Sequence, residues 1–181
     1  MVIKMNQRVM LTKRLLKENL LRLLQNKTIQ EISVKELCSA AEINRSTFYA
    51  YYGCPQDVLT EIEKEFVEEM MKRIPKDGSL SQKERLLKAC QFLHTHIELE
   101  KILFRNNSDE DISKLFGDTG FAIWQAEEYF GDNFFTNETD RKYAAVFING
   151  GMYRVLRRWL LQDADRTPEE IADLIAKMIL G

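Results

Sequence analysis

Residues 33–52, SVKELCSAAEINRSTFYAYY, restrict the fold more than any other stretch, because they predict two short helices that meet at a tight turn. We predict the first helix over residues 34–41, the turn over 42–44 and the second helix over 45–52. The positions that face inward are apolar, and an alanine at the crossing lets the two helices approach closely. These inward positions are Leu37, Cys38, Ala41, Ile43, Phe48 and Tyr52.

The residue before each of these helices can close its first turn. Ser33 and Asn44 carry side-chain oxygens where the unpaired amides of a first turn need an acceptor. With Phe48 turned inward, a wheel of about 3.6 residues per turn places polar, aromatic and small side chains on the outer face and flanks of the second helix. These outer positions are Arg45, Ser46, Thr47, Tyr49 and Ala50.

A short helix with this outer face suits a groove of DNA. An arginine can bind guanine through two hydrogen bonds, hydroxyl groups reach base edges or phosphates, and small side chains let the backbone come near. An ordinary helical hairpin with a polar outer face is the alternative. The caps, the turn and the exposed side chains together favour DNA binding over that alternative.

The segment NRSTFYAYY, followed by QDVL at residues 56–59, resembles the DNA-binding domain of TetR/AcrR-type transcriptional regulators. In that family the second helix of the helix-turn-helix has the form S-x-x-T-L-Y-x-Y/H-F, and the resemblance covers residues 9–62. It implies that Lys35 reaches a base or a phosphate and that Tyr51 touches the DNA backbone. The residues expected at DNA are Lys35, Arg45, Ser46, Thr47, Tyr49, Ala50 and Tyr51.

The chain departs from the family pattern at three places. Glu42 stands where the family usually has glycine in the turn, so we expect modest strain or a slightly different path there. Asn44 replaces a serine, which preserves the chemistry of a cap. Residues 53–55, Gly-Cys-Pro, replace a basic stretch that touches phosphate, so we expect the fourth helix to hold DNA less firmly.

The composition predicts an all-α fold. Only three prolines and eight glycines occur in 181 residues, and apolar residues recur at helical spacing along most of the chain. The fold expected from the resemblance is an N-terminal three-helix helix-turn-helix head over residues 1–54. A helical-bundle domain for dimerisation and ligand binding then follows over residues 55–181.

The charges are unevenly divided between these two parts. Up to Thr60 the chain has nine basic and five acidic residues, a net charge of +4. The remainder has 17 basic and 23 acidic residues and a net charge of −6. A basic head on an acidic body is expected when only one end meets phosphates, although chance can also produce so modest an imbalance. In the first helix, the basic residues lie toward the N-terminal half, where we expect them to approach the DNA backbone.

The other helices are predicted from apolar spacing and from caps. Ser81 and Glu84 form a capping box, and Thr167 precedes a proline that suits the first position of a helix. The predicted helices cover residues 8–25, 55–73, 82–98, 102–105, 109–130, 137–162 and 168–181, with loops at 75–78 and 131–136.

The last two helices are too apolar to serve one subunit only. Gly150 and Gly151 lie inside a predicted helix at a cost of about 1 kcal/mol each relative to alanine, which indicates close approach of another helix. The sequence of these helices is similar to the C-terminal ends of a TetR subgroup that includes regulators of dihydroxyacetone kinase. This resemblance implies a homodimer that pairs the last two helices of each subunit. The alternative is that they pack only within one subunit.

The resemblance also implies an effector pocket enclosed by the middle helices. Plain core is the competing interpretation for each candidate, because aromatic residues at helical spacing are common in cores. The candidates are Phe66, Met70, Phe92, Phe104, Phe116, Phe121, Trp124 and Phe147.

The sequence offers little to support an enzyme. His94 and His96 diverge by about 200° on a helix and cannot chelate one metal ion, and no phosphate-binding loop, dinucleotide fingerprint or nucleophile motif occurs. We therefore expect no metal and no cofactor. Neither a signal peptide nor a membrane span is expected, and three scattered cysteines favour a reduced, cytoplasmic protein.

Three functional hypotheses follow from these observations. The leading one is a regulator that binds a palindromic operator as a homodimer and responds to a small molecule or a protein. The second is a protein-binding adaptor or coactivator with a TetR-like fold and weak DNA affinity, which the non-basic residues 53–55 support. The third is a small helical enzyme. The sequence does not identify the effector, the operator, the regulated genes or the direction of control.

Overall fold

The computed structural model describes residues 2–75, 79–106, 137–162 and 164–180. These residues form eight α-helices, a short 3-10 helix at Ile29–Glu31 and no strand, so the all-α prediction is confirmed. The α-helices are α1 (Val2–Leu24), α2 (Val34–Ala40), α3 (Arg45–Tyr49), α4 (Pro55–Arg73), α5 (Gln82–Thr95), α6 (Ile97–Asn106), α7 (Glu138–Leu161) and α8 (Pro168–Leu180).

The chain folds into two compact units, Met1–Phe66 and Val67–Gly181. Helix α4 runs on from the first unit into the second, and the domain boundary expected between residues 54 and 55 stays a prediction. In the first unit, the apolar faces of α1 to α4 supply a core of fully buried side chains. Its most buried members are Leu16, Leu20, Leu37, Phe48, Val58 and Leu59, each with 0% exposure.

Helix α1 begins earlier than predicted. It starts at Val2 rather than at residue 8, because residues 2–7 contain no proline or glycine that would stop a helix.

Helix α4 has the limits that the sequence predicts, and its start is fixed by a carboxylate. The Asp57 side chain accepts hydrogen bonds from the backbone amides of Gly53 at 2.7 Å and Cys54 at 3.1 Å. These two bonds lower the pKa of the Asp57 carboxyl. The apolar positions predicted for its buried face are all buried, namely Val58, Leu59, Ile62, Phe66, Met70 and, just past its end, Ile74.

In the second unit, α5 starts at the predicted capping box. The Ser81 hydroxyl accepts from the Glu84 amide at 3.3 Å, and the Glu84 carboxylate accepts from the Ser81 amide at 2.8 Å. The helix ends at Thr95 rather than at residue 98, since His96 leaves helical geometry and packs its ring 4.3 Å from that of Phe92. A full helix, α6, then replaces the short one predicted over residues 102–105.

The last two helices each start at a side-chain cap, and the one at Thr167 was predicted. The Asn137 side chain accepts from the Asp140 amide at 2.9 Å, and the Thr167 hydroxyl accepts from the Glu170 amide at 3.2 Å. Helix α8 packs on α5, where the Lys83 ammonium lies 2.7 Å from the carboxylate of Asp173. The helix predicted over residues 109–130 and the loop predicted over 131–136 lie outside the described residues.

Candidate nucleic-acid interface

The helix-turn-helix is present at the predicted position. Of the two predicted capping hydrogen bonds, the one at Ser33 is confirmed and the one at Asn44 is wrong. The Ser33 hydroxyl accepts from the Glu36 amide at 3.2 Å, as expected for α2. The Asn44 side chain makes no capping hydrogen bond, and α3 is fixed instead by Phe48, whose side chain has 0% exposure. Helix α3 ends at Tyr49 rather than at residue 52, because the amides of Tyr51 and Tyr52 both donate to the Phe48 carbonyl.

The turn between α2 and α3 has the strained residue that the sequence predicts. Glu42 adopts φ 55°, in the left-handed region that favours glycine. Its amide donates to the Ser39 carbonyl at 3.3 Å, and the Ile43 amide donates to the Cys38 carbonyl at 2.9 Å. These two bonds are those of a Schellman motif, in which the residue after the cap is usually glycine.

Aromatic packing fixes the orientation of α3. The Phe48 ring meets that of Tyr49 edge-on, with ring centroids 5.6 Å apart, and lies 5.8 Å from the Tyr52 ring. Burial of Phe48 against the core leaves the opposite side of the helix to solvent. Of the predicted inward positions, Ile43 is only half-buried, and the other five are buried.

The side chains expected at DNA lie on the solvent side of α2 and α3 and just after α3. Tyr49 is 59% exposed and Tyr51 is 37% exposed, whereas Thr47 is half-buried. The remaining exposed candidates are Lys35, Arg45, Ser46 and Ala50. Their contacts with DNA stay a prediction, and the structure leaves their side chains open for such contacts.

Two basic residues of α1 that were expected near the DNA backbone are held by acidic residues of α4. The Lys13 ammonium lies 2.8 Å from Glu61, and the Lys17 ammonium lies 2.7 Å from Glu61 and 2.5 Å from Glu65. Sequence analysis missed this group. The lysines are four residues apart on one helix and the glutamates four residues apart on the other, a spacing that is compatible with this group but does not show which faces of the two helices meet.

Two other cations of the head also form ion pairs with carboxylates. Arg14 lies 3.4 Å from Glu18, and Lys27 pairs with Glu36. In the part of the chain that the structure describes, four exposed cations of the head have no ion-pair partner. They are Arg8, Arg22, Lys35 and Arg45, and of these Arg22 donates a hydrogen bond to the side chain of Asn19 at 2.6 Å.

The candidates for an effector pocket divide into three groups. Phe66, Met70, Phe92 and Phe104 are buried. The Phe104 ring packs 5.6 Å from the Tyr153 ring, and the Arg73 guanidinium lies 5.0 Å from the centre of the Phe92 ring. Phe116, Phe121 and Trp124 lie outside the described residues.

Phe147 does not fit the pocket assignment. Its side chain is 82% exposed on α7, so it lines no enclosed space within the subunit. The assignment was wrong because residue type indicates apolarity, whereas the direction of the side chain depends on which face of α7 meets the core.

Phe147 belongs to a second exposed surface, which we call the apolar face of α7. Tyr143 and Val146 are each 72% exposed, and both glycines are exposed. A Cβ atom added at Gly150 or Gly151 would meet nothing within 4 Å, so packing inside the subunit does not require either glycine. The face consists of Tyr143, Val146, Phe147, Gly150 and Gly151.

The described ranges contain no group of three His, Cys, Asp or Glu side chains that could hold a metal ion. None of the helices within them combines the length and apolarity that crossing a membrane requires.

Three solved structures share this fold over nearly the whole chain. The dihydroxyacetone kinase operon activator DhaS is 18% identical with a TM-score of 0.54, over 93% of this chain and 94% of that chain. The fatty acid degradation regulator FadR from Bacillus halodurans is 17% identical with a TM-score of 0.62, over 94% and 95%. A transcriptional regulator of the TetR/AcrR family from Thermobifida fusca YX-ER1 is 19% identical with a TM-score of 0.57, over 97% of each chain.

Sequence comparison gives a complementary result. No curated protein matches the chain by sequence. Residues 81–181, more than half of the chain, match the TetR-type family model described as "Transcriptional regulator C-terminal region". The chain therefore belongs to the TetR/AcrR family of transcriptional regulators.

Proposed function

We propose that this protein is a homodimeric regulator that binds a palindromic DNA operator through α2 and α3 and responds to an effector. The observation that carries the proposal is the solvent side of the helix-turn-helix. There, unpaired Lys35 and Arg45 lie with exposed hydroxyl and tyrosine side chains on short, well-buttressed helices. Arginine and hydroxyl groups in this arrangement can read base edges and bind phosphates.

The apolar face of α7 supports the dimer. Aromatic side chains that are 72% and 82% exposed gain free energy when a second copy covers them. The two open glycines allow the partner helix to approach closely at no cost within the subunit. A dimer also supplies two recognition helices, which bind half-sites about 34–36 Å apart on one face of DNA.

A shift of α4 is the proposed route from effector to DNA. An effector that binds better at one separation of the two heads moves the population toward that separation, in proportion to its differential affinity. The solved relatives are named for the control of dihydroxyacetone kinase and of fatty acid degradation, so their names point to no common effector.

An adaptor that binds another protein is the second candidate, and the start of α4 favours it. The Gly53 and Cys54 amides donate to the Asp57 carboxylate, so they are not available to a phosphate. This corner of the head therefore presents a negative charge in place of the basic stretch usual in the family.

Binding to DNA at two salt concentrations separates the two candidates. DNA fragments selected from a random pool by the full-length protein provide the operator. If Arg8 and Lys35 each neutralise a phosphate, a dimer makes about four such contacts, and log K falls against log salt with a slope of about −4. An adaptor would show little binding at either salt concentration, and that result would refute the proposal.

The substitution Arg45→Ala tests the assignment of the recognition helix. We expect it to cost about 1–3 kcal/mol of operator binding and to relax base preference at one position of each half-site. Arg14→Ala is the matched control, because it removes the same charge from a residue already paired with Glu18. Unchanged base preference in the Arg45 variant would contradict the assignment.

A further inference from the structure

Five residues form one connected group between α1, α4 and the segment that follows α3. The Lys17 ammonium bridges the carboxylates of Glu61 and Glu65, at 2.7 Å and 2.5 Å. The Lys13 ammonium pairs with Glu61 at 2.8 Å and lies 5.2 Å from the centre of the Tyr52 ring. We call these five residues the α1–α4 clamp.

The clamp is charged and partly shielded from water. The Lys17 side chain is 15% exposed and that of Glu61 is 26% exposed, so solvent screens this pair less than a surface pair. Burial opposes ionisation of Glu61, but hydrogen bonds from Lys13 and Lys17 outweigh it and lower the pKa of its carboxyl to about 2. Burial also opposes ionisation of Lys17, but the same pairs raise the pKa of Lys17, so Lys17 and Glu61 are both charged at neutral pH.

Aromatic side chains connect the clamp to α3, the proposed recognition helix. Tyr52 is 5% exposed, follows α3 by three residues and packs its ring 5.8 Å from that of Phe48. Phe48 is the buried residue that orients α3. Since its ring contacts Tyr52, a shift of Tyr52 changes the direction in which α3 presents its outer face.

We propose that the α1–α4 clamp positions the recognition helix, and that Lys13 and Lys17 contribute to operator binding without touching DNA. The inference rests on the proposed function, because it assigns a role in DNA binding. In this arrangement, the first half of α4 and the whole of α3 move as one body, held through Glu61, Lys13, Tyr52 and Phe48.

The competing role for these lysines is direct binding of phosphate. The substitution Glu61→Gln distinguishes the two roles, because they predict changes of opposite sign in DNA affinity. If the lysines bind phosphate, removing their carboxylate partner releases them and raises DNA affinity. If they position α3, the same substitution loosens the clamp and lowers affinity for the operator.

The experiment measures operator affinity, affinity for unrelated duplex and salt slope for the full-length protein and three variants. The variants are Lys17→Met, Glu61→Gln and the double substitution. We expect each single variant to lose about tenfold in operator affinity, with the salt slope and the affinity for unrelated duplex unchanged. The double variant should lose less than the sum of the two single losses, because both substitutions remove the Lys17–Glu61 pair.

The controls separate positioning from general stability. Arg14→Met and Glu18→Gln change an exposed pair on the same helix and should leave operator affinity unchanged. Glu65→Gln, which leaves Lys17 paired with Glu61, should give a smaller loss and keeps the test open if Lys17→Met does not fold.

Three results would overturn the inference. They are a higher affinity in Glu61→Gln, a salt slope reduced by about one phosphate contact per head in Lys17→Met, or lower thermal stability with unchanged operator affinity. Failure of the unaltered protein to bind any duplex would refute the proposed function instead, so the two failures are distinguishable.

Discussion

Glycine in place of Glu42 should stabilise the head, although the substitution removes a side chain and adds no contact. Glu42 adopts φ 55° in the turn between α2 and α3. In the described residues, its exposed side chain makes no hydrogen bond or ion pair that the substitution would remove. The two backbone bonds of the turn, to the carbonyls of Ser39 and Cys38, do not depend on the side chain.

Two opposing effects set the change in the free energy of unfolding that Glu42→Gly causes. A residue with a Cβ atom pays about 1–2 kcal/mol in the left-handed region, and glycine avoids that cost. Glycine loses more conformational entropy on folding, and this destabilises the variant by about 0.5–1 kcal/mol. The expected net gain is therefore about 0.5–1 kcal/mol in the free energy of unfolding, or a rise of about 2–4 °C in Tm at the upper end.

Urea denaturation followed by circular dichroism measures this gain. Glu42→Ala is the control, because it removes the carboxylate but keeps the Cβ atom and the strain. It should gain no more than a few tenths of a kcal/mol from relief of the charge near the C-terminus of α2. If Glu42→Gly is no more stable than Glu42→Ala, the strain argument is wrong.

Three further predictions use other features of the chain. Ala164→Gly, at the second positive φ of the described residues (47°), should raise the stability of the second unit by about 0.5–1 kcal/mol in the same assay. Because the folded pKa of Glu61 is about 2 against an ordinary 4.5, its contribution is present above about pH 4.5 and lost as the pH falls toward 2. Glu61→Gln should therefore flatten that part of the curve of urea midpoint against pH. Gly150→Leu should dissociate the proposed dimer in sedimentation experiments and leave subunit helicity unchanged, since a Cβ there meets nothing within 4 Å.

Features set by neighbours in sequence were predicted well. The predicted caps at Ser33, Ser81 and Thr167 all form, because each needs only a side-chain oxygen and an amide three residues away. The strain at Glu42 was expected from the family resemblance, because glycine usually stands at that position.

Asn44 shows the limit of that local reasoning. Its residue type suits a cap, yet α3 is one turn long and is held mainly by the buried ring of Phe48. Tertiary packing therefore decided the geometry at this helix start, and the local preference of asparagine did not.

Features that depend on which faces meet were not predictable from spacing. Lys13 and Glu61 are 48 residues apart, and helical periodicity does not say that α1 and α4 present these side chains to each other. The pocket assignment of Phe147 was wrong for the same reason, because both the core side and the outer side of α7 are apolar.

Charge position matters more for the function than the net charge of the head. Of the nine basic residues up to Thr60, Lys13, Arg14, Lys17 and Lys27 are neutralised by nearby carboxylates. Glu61 and Glu65 lie beyond Thr60 and are not included in the net charge of +4, so their pairing with Lys13 and Lys17 should make the non-specific attraction to DNA weaker than +4 implies. If the protein binds an operator as proposed, recognition relies on base contacts by a small number of side chains, and Arg45 is the arginine among the expected contacts that can form two hydrogen bonds with guanine. A regulator built in this way gains selectivity for its operator by forgoing general affinity for DNA.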